Sequence, residues 1–229
     1  MSMMAKKGHL LFAAVLAVAA AVEGVAAQQN PDLKWAQMHG WLMWVSFGFL
    51  FPFSLLLIRY SRPLRDPTCT VAPGRVQLLF YLHVFIAAMG VLSASAGVAI
   101  LIHRDGGNFD YTHQRLGLAL MTIMWMMPFI GLLRPAKGVP ARPYWFVLHW
   151  VFGTGAVFLG IVNCYIGIHV YQLIFQENIR SLNIAFSCIL AFMAVAYFFQ
   201  DKWSYILKQR NSPDRSHVTG VKVSQIGLV

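Results

Sequence analysis

Five nearly uncharged apolar stretches constrain this chain more than any other feature. They run over about Trp35–Ile58, Val76–Ile102, Tyr111–Leu133, Tyr144–Tyr171 and Leu182–Phe199. A helix of about 20 apolar residues crosses the hydrocarbon core of a bilayer. None of the five alternates apolar and polar residues as a membrane β-strand does. The segments between them carry turn and polar residues: SRPLRDPT, HRDGGNFD and RPAKGVPARP. Interior prolines such as Pro52 and Pro128 would break a water-exposed helix, but membrane helices tolerate them because neighbours satisfy the freed backbone groups. The expected fold is therefore all-α: a polytopic bundle of five transmembrane helices. Composition agrees, with 58% hydrophobic and 11% charged residues against about 25% charged in a soluble domain. That balance excludes soluble, collagen-like and disordered classes. Three cysteines, an odd number, imply no disulfide framework.

The first residues read as a targeting segment. Lys6 and Lys7 precede a short apolar run, Leu10 to Val22, and Val25-Ala26-Ala27 then supplies small residues of the kind a signal peptidase reads. We expect a cleaved signal peptide over residues 1–27, a membrane domain over 28–205 and a cytosolic tail over 206–229. The rival is an uncleaved first membrane helix. Cleavage places the mature N-terminus outside the cytosol, with no room for a folded outer domain before His39.

The net charge of +10 first suggests nucleic acid, yet such a partner needs no apolar surface of this extent. Sorted by loop, the charge describes orientation instead. Arg59, Arg62, Arg65, Arg75, Arg134, Lys137, Arg142, Lys202, Lys208, Arg210, Arg215 and Lys222 fall on one side with only Asp66, Asp201 and Asp214. On the other side Lys34, Arg104, Arg115 and Arg180 balance Asp32, Asp105, Asp110 and Glu177. The expected topology has a non-cytosolic N-terminus and a cytosolic C-terminus, in a plasma or endomembrane of the secretory pathway.

Histidine is the ionisable residue that enters the apolar segments. No Asp, Glu, Lys or Arg lies deep in them, which argues against a proton pump or a carrier built on buried carboxylates. Of eight histidines, His9 and His217 lie outside the spans, and His103 and His169 close the outer ends of the second and fourth. His39, His83, His113 and His149 remain, one in the first third of each of the first four segments. Adjacent segments run in opposite directions, so His39 and His113 share an outer level and His83 and His149 an inner one. Each lies roughly 30 Å from the far end of its helix. Two imidazoles facing across a bundle core can hold a haem iron axially. Two such pairs would make an electron path across the bilayer. Gly117 and Gly153 each follow a histidine by four residues, on the same helix face. They leave room for a flat macrocycle or serve close helix contact. Gly48, Gly90, Gly155 and Gly160 read as packing glycines.

These residues resemble the cytochrome b561 family, the di-haem transmembrane electron carriers. The similar stretches are M-H-G-W at Met38–Trp41, F-Y-L-H-V at Phe80–Val84, T-H-Q-R-L-G at Thr112–Gly117, L-R-P at Leu133–Pro135, Y-W-F-V-L-H-W-V-F-G at Tyr144–Gly153 and G-I-V-N at Gly160–Asn163. Together they cover about Trp35 to Trp203 and are most similar to the b561 domains that plants fuse to an outer DOMON domain, which is expected to be missing here. The resemblance implies two haem b groups, one held by His39 with His113 and one by His83 with His149, and a homodimer as an assembly. Ascorbate-reducing members carry a basic residue near the inner end of the second core helix. Arg75 lies near that place in a different local sequence. Arg59 and Arg62 offer another inner anion site, with snorkelling as their ordinary role.

The remaining features are structural. Trp35, Trp41, Tyr60, Tyr81, Tyr111, Tyr144, Trp145, Tyr171 and Trp203 cluster at segment ends, as interfacial belts do. Met121, Met124, Met126 and Met127 read as packing and lipid contact. Cys164 and Cys188 read as small apolar fillers, and Cys69 as a reduced cytosolic thiol. The expected activity is one-electron transfer from a cytosolic reductant, with ascorbate a candidate, to an outer acceptor such as a ferric chelate or monodehydroascorbate. The rival is a cofactor-free membrane transporter or scaffold whose histidines brace helices or bind a transition metal.

Overall fold

The computed structural model describes residues 31–61, 73–107 and 109–211. The expected signal peptide, Arg62, Cys69 and the tail beyond Asn211 lie outside them. Among the described residues six α-helices follow in order: α1 Pro31–Val45, α2 Phe51–Tyr60, α3 Pro73–Asp105, α4 Thr112–Leu132, α5 Arg142–Phe175 and α6 Arg180–Asn211. A π-helical turn, Ser46–Leu50, joins α1 to α2. Five helical stretches among the described residues are long and apolar enough to cross a membrane: Asp32–Tyr60, Gly74–Arg104, Thr112–Leu132, Arg142–Phe175 and Arg180–Gln200. No strand occurs among the described residues. The fold is an all-α bundle and the protein an integral membrane protein.

The π turn has a local cause. Pro52 has no N–H, and its ring crowds the carbonyl one turn back. The hydrogen-bond ladder widens just before it, and the Phe51 N–H reaches back to the Ser46 carbonyl. Ser46 Oγ donates to the Leu42 carbonyl at 2.7 Å, and Ser93 Oγ of α3 donates to the same atom at 3.2 Å. The distortion thereby becomes a bond between helices. Pro128 lies inside α4, as a lipid-embedded helix allows.

The first span is the hub. It packs along α3 and against α5, while α4 packs on α5 and more lightly on α3. The fifth span, in α6, lies against α2 and the π turn, outside the four-helix bundle. Phe186 of α6 is fully buried, and its ring would meet any Cβ placed on Gly48. Gly160 gives way to the Phe47 ring and Gly90 to Phe51 in the same manner. Phe47, Phe51, Val91, Ala94, Leu120, Met121, Met124, Ala156 and Val157 form one buried cluster. In each of the first four spans this cluster lies between the two histidine levels. α6 continues past its apolar stretch to Asn211, through residues such as Lys, Gln and Arg whose helix propensity is high.

Candidate functional site

His39 and His113 project toward each other from α1 and α4. Their ring centroids lie 6.0 Å apart with the planes at 87°. Each ring is held through Nδ1 by the backbone of a neighbouring helix. His39 Nδ1 donates to the Gly97 carbonyl of α3 at 2.9 Å. His113 Nδ1 donates to the Asn163 carbonyl of α5 at 3.0 Å and to its side-chain Oδ1 at 3.1 Å. A carbonyl can only accept, so Nδ1 carries the proton in both rings. In a neutral imidazole the lone pair then sits on Nε2.

Such bonds need helix backbones to approach closely, and glycine permits it. A Cβ on Gly97 would lie 2.6 Å from Met43 Cε and 3.6 Å from His39 Nδ1. A Cβ on Gly167 would lie 2.6 Å from His113 Cε1. An apolar cleft opens beside the pair, lined by Met43, Val98, Gly117, Met121 and Asn163 among others. Gly117 thus lies in this cleft. Gly153 instead faces Met127, whose Cε would come within 3.2 Å of a Cβ there. Gly155 has no atom within 4 Å of such a Cβ.

His83 and His149 occupy the other level. His83 Nδ1 donates to the Ser54 carbonyl of α2 at 2.9 Å, with Ser54 Oγ at 3.3 Å. His149 lies flat against Trp145, with centroids 5.2 Å apart and planes at 14°. His83 and Arg134 both lie within electrostatic reach of His149. Trp145 is therefore a ring partner in addition to any interfacial role, and its Nε1 donates to the Ile130 carbonyl at 2.7 Å.

The basic candidates separate. Arg59 Nη1 donates to Tyr197 Oη at 2.6 Å and its guanidinium lies 3.7 Å from that ring's centroid, so Arg59 fastens α2 to α6. Arg75 is exposed in the first turn of α3. His103 and His169 are exposed at the far ends of α3 and α5. No cluster of three or more His, Cys, Asp or Glu suited to a lone metal ion occurs among the described residues. Gly97, Gly167 and Ser54 were not anticipated. Asn163 stands in the G-I-V-N stretch, but its role as acceptor did not follow from it.

A cytochrome b561 domain-containing protein of Arabidopsis thaliana is 34% identical over 186 residues, covering 81% of this chain and 70% of the relative. This chain belongs to the cytochrome b561 family. Two cytochrome b561 and DOMON domain-containing proteins of the same plant are also similar. One is 33% identical over 141 residues, covering 60% of the chain and 32% of the relative. The other is 28% identical over 199 residues, covering 86% and 46%. The chain thus spans less than half the length of these two. No protein-family model matches the chain, and no solved structure matches it. Membership makes this b561 chain a membrane-embedded, haem-based electron-transfer protein that works with redox partners and binds b-type haem.

Proposed function

We propose that this b561 chain carries single electrons across the bilayer with two b-type haems. His39 and His113 would hold one near the outer face, and His83 and His149 the other near the cytosolic face. The His39–His113 geometry carries this reading. The two ring centroids stand 6.0 Å apart, so the two imidazoles would hold a single haem iron between them. The tautomer supports it as well, because Nδ1 is committed to a carbonyl and Nε2 keeps its lone pair. Gly117 lines the cleft beside that pair, while Gly97 and Gly167 let the neighbouring helices close on the two rings. When bound, each haem supplies a one-electron redox couple.

The chain's own residues do the rest. The carbonyls of Gly97, Asn163 and Ser54 orient three imidazoles and raise their basicity. The buried cluster from Phe47 to Val157 fills the space between the two levels with side chains that exclude water. The basic side, with Arg75 and Arg142, faces the cytosol and meets an anionic reductant, for which ascorbate is the candidate. The opposite face, where Arg104 pairs with Asp32, delivers electrons to an outer acceptor such as a ferric chelate or monodehydroascorbate.

The optical spectrum of the purified protein tests this. Reduction is expected to produce a sharp α-band at two haems per chain. His39→Ala and His113→Ala should each remove the same haem and leave the other. A protein colourless after haem supplementation would overturn the reading. A haem shared by His39 and His83 would overturn the pairing.

A further inference from the structure

Three of the four rings are held alike, by a backbone carbonyl at Nδ1, and His149 is the exception. Its Nδ1 is buried and has no hydrogen-bond partner among the described residues. What holds this ring is the face of Trp145, stacked at 5.2 Å. Trp145 is itself pinned. Its Nε1 donates to the Ile130 carbonyl, one of the last carbonyls of α4, which ends at Leu132 and leaves them without an intrahelical partner. Arg134, on the segment between, lies over two rings at once, with its guanidinium carbon 5.2 Å from the Phe80 centroid and 5.7 Å from that of Trp145. Both distances are within cation–π range, and the charge reaches His149.

We propose that Trp145, braced by Arg134, is the positioning residue of His149, and that this aromatic clamp, standing where the other rings have a carbonyl acceptor, makes the His83/His149 site easier to reduce. The proposal rests on the reading of that pair as haem ligands. Two effects push the same way. An Nδ1–H bonded to an acceptor makes Nε2 more basic and favours the more positive, oxidised iron, and His149 lacks that bond. A nearby guanidinium also disfavours the more positive state. A unit charge within about 12 Å at an effective dielectric of about 20 changes a one-electron equilibrium roughly tenfold. The indole face fixes the plane of the ring without supplying an acceptor at its edge.

The test is a potentiometric optical titration of the haem-loaded chain in nanodiscs, with EPR of the oxidised form. His149→Ala first identifies the haem signal of this pair. Arg134→Gln is expected to shift that haem roughly tenfold toward its oxidised form at a given potential, about 59 mV for a one-electron couple, and to leave the other haem in place. Trp145→Leu should alter the EPR signal of the same haem, and Trp145→Phe, which keeps a stacking ring, should restore most of it. If Trp145→Leu yields no folded protein, Arg134→Gln and Trp145→Phe decide the matter. Arg134→Gln leaving that haem within about twofold of wild type, or moving both haems equally, overturns the clamp. So does Trp145→Phe behaving as badly as Trp145→Leu. If His149→Ala leaves both haems bound, the ligand reading itself fails and the clamp falls with it.

Discussion

Gly167→Ala probes the His39–His113 site through a single carbon atom. The new Cβ would stand 2.6 Å from His113 Cε1 and 3.1 Å from both ring nitrogens. Non-bonded carbons prefer about 3.5–4.0 Å, so the imidazole must retreat by roughly 1 Å or α5 must back away. The ring's Nδ1 bonds to Asn163, at 3.0 and 3.1 Å, do not survive a retreat of that size. Their loss costs about 0.5–1.5 kcal/mol, and the overpacking adds about 1–3 kcal/mol. The assay is the haem-to-protein ratio of the purified variant, with EPR of the oxidised form and a thermal melt. One haem should be lost or its EPR signal altered, and the other left intact. Gly155→Ala is the control, because a Cβ there meets nothing within 4 Å and helix propensity alone favours it by about 1 kcal/mol. Full loading, an unaltered EPR signal and an unchanged melt in Gly167→Ala would refute the reasoning.

Other expectations are narrower. Ser54→Ala removes a hydroxyl at 3.3 Å but keeps the main-chain carbonyl that accepts from His83 at 2.9 Å, so the variant should retain both haems in the same spectrum. Phe186→Ala empties a fully buried site between α6 and the first span, and should cost about 3–5 kcal/mol, read as a lower melting temperature and faster proteolysis of the α6 segment. Asp32→Asn removes an ion pair with Arg104 whose carboxylate side is more than half exposed. It should cost no more than about 1 kcal/mol, and the cost should vanish in high salt.

Much of this was legible along the chain. Each of the five spans matches an apolar stretch to within a few residues at either end, except that α6 runs on to Asn211, because helix propensity does not stop where hydropathy does. The meeting of His39 with His113 followed from antiparallel threading alone. Gly48, Gly90 and Gly160 do receive aromatic rings, as packing glycines should. Gly153 proved to face Met127, and Trp145 to face His149 rather than only an interface. Sharing a segment end with true belt residues hid that role, since position along the chain does not say which way a ring turns.

The sequence by itself marked five stretches long and apolar enough to cross a bilayer and where along each of the first four a histidine stands. Both are one-dimensional quantities, readable from hydropathy and from counting residues at a fixed rise per residue. Tertiary structure decided what holds each ring. The acceptors are main-chain carbonyls at Gly97, Asn163 and Ser54, and every residue carries one. No side-chain pattern marks which carbonyl a histidine meets, because helix rotation and closeness of approach choose it. The same applies to His149, where an indole from one turn earlier stands in place of a carbonyl.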